Sequence, residues 1–148
     1  MSRGPDRPDQ LSFTLAYGDC DTVGIIYFAR YFPWMERCST LWWHSQGVRV
    51  GHLLEDHGIV TVAVNTSLDY IAPARVLDEV TVRMVVDRVG TTSFTLGFDF
   101  TRAGELLARG SMTFACRDQS WVKIALPDAL RAPLAGLPTR EAVSGAAH

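Results

Sequence analysis

The sequence predicts an α+β domain in which a curved antiparallel sheet covers one long helix. Three observations carry that prediction: an alternating apolar segment near the start, one stretch with apolar residues every three and four positions, and a second half dominated by alternating strands. A chain of 148 residues with 47% hydrophobic and 20% charged content has the make-up of one domain with a proper core. There is no internal repeat or low-complexity segment.

Residues Leu11–Tyr17 alternate at period two and give the first strand, which stops where Gly18, Asp19 and Asp21 introduce turn chemistry. Phe32, Met35, Cys38, Leu41, Trp42 and Ser45 then recur at helical spacing, and Gly47 closes the segment. Pro33 is tolerated only in an opening turn, so the helix begins within residues 28 to 32. Four strands follow, at Val60–Ile71, Val76–Val89, Thr92–Thr101 and Leu106–Arg117, separated by Ala-Pro-Ala, Val-Gly and Arg-Ala-Gly. MSRGPDRPDQ and PTREAVSGAAH carry little apolar surface to offset the entropy of ordering. They are read as flexible tails, 1–10 and 138–148, around a domain at 11–137.

Composition excludes several functions. The net charge is −2 with acids and bases interleaved, so no basic stripe is present for a nucleic-acid backbone. No stretch approaches the ~20 apolar residues of a membrane span, and the start lacks a secretory signal, which gives the expectation of a cytoplasmic protein with no membrane partner. Cys20, Cys38 and Cys116 form no CxxC pair, and His44, His52 and His57 share no ligand spacing, so neither a disulfide framework nor a metal site is expected.

The chemistry concentrates in "YGDCDTVGIIYFARYF", residues 17–32. Two aspartates stand in a loop that leads into the helix start. The first turn of a helix presents unpaired N–H groups and partial positive charge, which suits a developing oxyanion. An aspartate with the ordinary pKa of ~3.9 is ionised at neutral pH and can act as nucleophile or polarise a water. Such minimal equipment needs a good leaving group. A thiolate qualifies, since thiols titrate near ~8.5, so a thioester is the substrate this passage suits.

"YGDCDTVGIIYFARYFPWMER" resembles the signature of the hot-dog-fold thioesterases of the 4-hydroxybenzoyl-CoA thioesterase family. "SLDYIAPARVLDEVTVR" and "VGTTSFTLGFDF" are similar to the segments that follow it there, so the resemblance spans roughly residues 11 to 127. It implies that Asp21 is the catalytic carboxylate, Asp19 being left to shape the turn, and that the Phe28 N–H polarises the thioester carbonyl. It also implies Tyr17 and Glu36 as active-site positions; Gly24, Tyr27, Phe28 and Phe32, which flank the proposed site, are the further oxyanion and substrate-binding candidates, and the hydroxyls of Thr91, Thr92 and Ser93 at a strand start are the candidates toward coenzyme A. Relatives acting on short aliphatic acyl groups commonly carry a histidine where this chain has Phe28, which directs the expectation to an aromatic acyl group such as benzoyl or hydroxybenzoyl. The Arg/Lys cluster used by some aromatic-acyl enzymes against the CoA phosphates is not matched at Gly90-Thr91-Thr92.

The sequence is therefore read as an acyl-CoA thioesterase that releases free acid and coenzyme A. No cofactor is expected, since CoA is part of the substrate, and the resemblance implies a homo-oligomer, a dimer or dimer of dimers. The alternatives are a short-chain acyl-CoA or acyl-carrier-protein thioesterase and a non-catalytic acyl-CoA binding protein. A dehydratase lacks a histidine near the helix start to serve as base.

Overall fold

The structure, a computed structural model, describes residues 8–140. In chain order it contains β1 (Gln10–Thr14), α1 (Tyr31–Ser45), α2 (Leu53–His57), β2 (Val60–Tyr70), β3 (Glu79–Val89), β4 (Ser93–Arg102), β5 (Glu105–Arg117) and α3 (Asp128–Ala135). Short 3₁₀ turns occupy Tyr17–Asp19, Phe28–Arg30 and Val50–His52. The strands form one five-stranded antiparallel sheet in the order β1-β3-β4-β5-β2, the predicted α+β plan and the hot-dog architecture. In the β1–β3 pair Phe13 stands opposite Val80 and both are buried, whereas Ser12 meets Thr81 through a 2.8 Å hydroxyl bond on the exposed face. Alternation at period two thus sets the register.

Contacts divide the chain into two compact units. Among the described residues the first takes 8–42, Leu68–Met84 and Phe98–Gly110; the second takes Trp43–Ser67, Val85–Gly97 and 111–140. In the first, α1 buries Tyr31, Met35, Cys38 and Trp42, spaced four, three and four apart. The stripe is rotated from the predicted one: Tyr31 takes the inward place given to Phe32, Leu41 is exposed, and Ser45 faces solvent. Gly110 of β5 lets the helix approach, because a Cβ there would lie 2.8 Å from the Met35 methyl. The second unit packs Phe94 between Trp43, edge-on at 5.8 Å, and Phe114, stacked at 5.3 Å. Helix α3 buries Leu130 and Leu134 there.

Several boundaries differ from expectation for local reasons. β1 ends at Thr14 because Ala16–Asp19 turns into 3₁₀ geometry, with the Ala16 N–H bonded to the Asp19 carboxylate. β3 starts at Glu79, not Val76: Leu77 has φ 71° and the Asp78 carboxylate takes the Arg75 N–H, which bends the chain out of strand geometry. α2 and α3 were not predicted, being short, and α3 carries Pro133 inside it. Residues placed in the tails are partly tied in: Gln10 opens β1, the Asp9 carbonyl accepts the Met84 N–H, the Pro138 carbonyl accepts the Val86 N–H, and Arg140 pairs with Asp87 at 2.7 Å. The remaining tail residues, 1–7 and 141–148, lie outside those described. Among the described residues no helix is long and apolar enough to cross a membrane.

Met35 is fully buried at the contact between α1 and β5. Met35→Ala is expected to lower unfolding free energy by about 2–5 kcal/mol, read as a fall in the urea midpoint with the slope unchanged.

Candidate active site

The passage 17–32 folds as a turn, a tight hairpin and a helix start, all within the first unit. Asp19 is buried, and each oxygen of its carboxylate is engaged: Oδ2 accepts the Ala16 N–H at 2.9 Å and Oδ1 accepts the Arg30 Nε–H at 2.9 Å. Its carbonyl accepts the Tyr27 N–H at 2.9 Å. One aspartate therefore fastens the end of β1 to the entrance of α1, which is the turn-shaping role the sequence assigns it.

Asp21 has a different environment. Cys20 bridges to Ile26, the Asp21 N–H bonds the Ile25 carbonyl, and the Gly24 N–H returns to the Asp21 carbonyl, so Asp21 opens a tight reversal. Gly24 closes it at φ 81°, a left-handed value that a side chain would strain. Asp21 Oδ1 accepts the Val23 N–H at 2.9 Å, while Oδ2 has no protein partner among the described residues. The carboxylate is thus held by its own turn, with one oxygen open and the residue half-buried.

The return arm of the hairpin runs through Ile26 and Tyr27 into the Phe28–Arg30 turn that precedes α1. The Arg30 N–H bonds the Tyr27 carbonyl, whereas the N–H groups of Phe28 and Ala29 meet no acceptor among the described residues. The Phe28 carbonyl accepts the Tyr70 hydroxyl at 2.6 Å. Around this turn Tyr17 and Phe28 are well exposed, the Tyr27 ring stands 4.7 Å from that of Phe28, and Phe32 is half-buried. Glu36 lies one turn and a half farther along α1, exposed, its carboxylate accepting the Thr40 hydroxyl at 2.6 Å.

Thr91, Thr92 and Ser93 belong to the second unit, at the turn between β3 and β4. The Gly90 N–H bonds the Ser93 carbonyl, the Thr91 carbonyl accepts the Leu126 N–H, and the Thr92 carbonyl accepts the Cys116 N–H. Arg131 donates to the Gly90 and Thr91 carbonyls, and the Arg88 guanidinium lies 2.9 Å from where a Gly90 Cβ would stand. Arg117 and Lys123 form a bridged pair just beyond Cys116, which puts their side chains on one face. Among the described residues none of Arg88, Arg117, Lys123 and Arg131 has a carboxylate partner, and Arg117 Nη1 is buried with no bond at all. Sequence reasoning missed this group because its members stand far apart in the chain; only the 117–123 pairing, which follows a turn held by Asp118, could have hinted at it.

The model of the thioesterase superfamily matches residues 23–108, more than half of the chain. The chain belongs to the thioesterase superfamily. It is similar to the 1,4-dihydroxy-2-naphthoyl-CoA hydrolase of Synechocystis, 25% identical over 118 residues that make 78% of this chain and 80% of that one. It is also similar to acyl-CoA thioesterase YbgC of Haemophilus influenzae, 26% identical over 117 residues, 78% of this chain and 86% of the relative. Among solved structures the dynemicin thioesterase, described with polyene binding, superposes with a TM-score of 0.77 at 28% identity, over 88% of this chain and 96% of that one. The expectation of a thioester hydrolase with the hot-dog fold therefore holds.

In this thioesterase the cysteine between the two aspartates is a poor nucleophile. Burial raises the Cys20 pKa above the thiol range, and the charges of Asp19, Asp21 and Asp78 raise it further. Asp78 acts on the fold: its Oδ2 accepts the Arg75 N–H at 2.8 Å and the Arg102 Nη1–H at 2.6 Å, and these two bonds, in that order, hold its carboxyl below the usual range. A depressed folded-state pKa gives stability that is complete above the unfolded value of 3.8 and is lost as pH falls through the folded one. Asp78→Asn is accordingly expected to lower stability by about 1 kcal/mol at pH 7, with the difference vanishing in denaturant titrations run well below pH 3.8.

Proposed function

We propose that this thioesterase hydrolyses an acyl-CoA in which the acyl group is aromatic, with Asp21 as the catalytic carboxylate and the N–H groups of Phe28 and Ala29 as the oxyanion hole. The observation that carries the reading is the pair of unsatisfied amides at a helix entrance, reached from the open carboxylate by one hairpin arm. The amides would grip the thioester oxygen, whose negative charge grows as the carbonyl carbon becomes tetrahedral. Asp21 would either attack that carbon or take a proton from the water that does. In both cases water supplies the new oxygen and CoA departs as a thiolate that needs little help.

The aromatic preference is supported by the exposed rings of Tyr17, Tyr27 and Phe28, which offer flat apolar area beside the turn, and by the naphthoyl substrate in the name of the Synechocystis relative. Gly24 permits the hairpin to close, while Phe32 and Glu36 are the residues of α1 assigned to the far end of the acyl group. Thr91 and Thr92 have hydroxyls without protein partners among the described residues, and with Ser93 they are assigned to the pantetheine arm. Arg88 and Lys123, exposed and without carboxylate partners among the described residues, are the bases assigned to the CoA phosphates. A homo-oligomer is supported by β2, which ends the sheet order and leaves Val64 and Tyr70 exposed. The likeness to the dynemicin thioesterase favours a second reading, an extended conjugated acyl chain.

A steady-state screen over benzoyl, hydroxybenzoyl, dihydroxynaphthoyl, short aliphatic and polyene thioesters tests the reading. An aliphatic preference of about tenfold in kcat/KM, ~1.4 kcal/mol in the transition state, would overturn the aromatic assignment. Asp21→Asn should lower kcat by roughly 10²- to 10⁴-fold with the fold intact, and equal activity would refute the mechanism. The double variant Arg88→Ala/Lys123→Ala should raise KM roughly fivefold to tenfold for CoA thioesters, with no change for the matching N-acetylcysteamine thioester, which lacks phosphates.

A further inference from the structure

Tyr70 is the last residue of β2, and nothing in the sequence pattern singles it out. Its ring packs edge-on against Tyr31, with centroids 5.9 Å apart, and Tyr31 in turn stands edge-on to Phe100 at 4.8 Å. Tyr31 and Phe100 are fully buried, so the outer ring is braced by two rings that cannot shift without disturbing the core. About half of the Tyr70 surface is exposed, yet its hydroxyl is given to a main-chain acceptor, the Phe28 carbonyl, at 2.6 Å.

That acceptor matters because of peptide planarity. The Phe28 carbonyl and the Ala29 N–H belong to one rigid trans unit and point in opposite directions. Holding the oxygen fixes where the N–H points. The preceding unit is fixed in the same way by the chain itself, since the Tyr27 carbonyl takes the Arg30 N–H and thereby directs the Phe28 N–H. The Ala29 amide is oriented from outside the turn, by a side chain on β2.

We propose that Tyr70 is a positioning residue for the oxyanion hole, aligning the Ala29 N–H through the peptide it shares with Phe28. The proposal rests on the assignment of those amides to the thioester carbonyl. Tyr70 suits the task, because its pKa is raised by burial and the hydroxyl remains a donor throughout the neutral range. Its effect belongs to the transition state: a misdirected amide still admits the substrate, but loses the strengthening bond to the oxygen as charge develops there.

The test is Tyr70→Phe, which removes the hydroxyl and keeps the ring stack. Expected are a loss of roughly tenfold to a hundredfold in kcat, a KM within twofold of wild type and an unchanged thermal midpoint. A second readout needs no turnover. The carbonyl stretch of a ¹³C-labelled CoA ketone, with methylene in place of sulfur, should shift to lower frequency when bound to wild type and to Asp21→Asn, and lose much of that shift in Tyr70→Phe. If wild type shifts the band and Tyr70→Phe retains both the shift and kcat, the role of Tyr70 is refuted while the oxyanion hole stands. If wild type produces no shift, the assignment of the amides falls and this proposal with it. A lowered midpoint with the band shift intact would mark Tyr70 as merely structural.

Discussion

The carboxylate of Asp19 holds the candidate site together. Buried among the main chain, it receives the Ala16 N–H and the Arg30 side chain on separate oxygens while its own carbonyl receives the Tyr27 N–H. Such a group is costly to bury unless every oxygen is occupied, and here each is. The consequence is geometric. With the end of β1 and the entrance of α1 tied to one residue, the segment between them must close as a short hairpin, and Asp21 is carried to a defined place on its outgoing arm. Two acids two residues apart thus acquire unlike characters: one is consumed by the fold, and the other keeps an oxygen free.

Much of this was legible in the residues. Pro33 and Gly47 mark the start and stop of α1 because each can occupy only special positions, and the structure has the helix at Tyr31–Ser45 with Gly47 at φ 79°. The alternation of β3 and β4 located both strands, but the expected single covered face holds only in part: Met84, Val85 and Val86 of β3 and Leu96 through Phe100 of β4 are buried on both faces. The resemblance carried by GDCD and the segment after it anticipated the superfamily, which composition and periodicity alone do not specify.

What could not be read was contact between distant segments. The inward face of α1 was misjudged by one position, because Tyr31 and Phe32 are both large and apolar and only the partner ring of Phe100 decides between them. Leu77 adopts a left-handed conformation that no β-propensity foretells, and it shortens β3. The bond from Tyr70 to the Phe28 carbonyl spans 42 positions, Arg131 reaches the Gly90 and Thr91 carbonyls across about 40, and Arg117 is bridged to Lys123 beyond an intervening turn. Local pattern determines elements; it is silent on which side chains from remote elements share a neighbour.

The distribution of these groups along the chain has a bearing on how the protein can diversify. The exposed rings of Tyr17, Tyr27 and Phe28 belong to one compact unit, whereas Arg88, Arg117, Lys123 and Arg131 belong to the other. Under the proposed assignment, substitutions in the early segment would change which acid is released, and a carrier of different charge would be met by changing the exposed bases Arg88 and Lys123. Modularity of this kind would let one scaffold serve many metabolic contexts through small genetic steps.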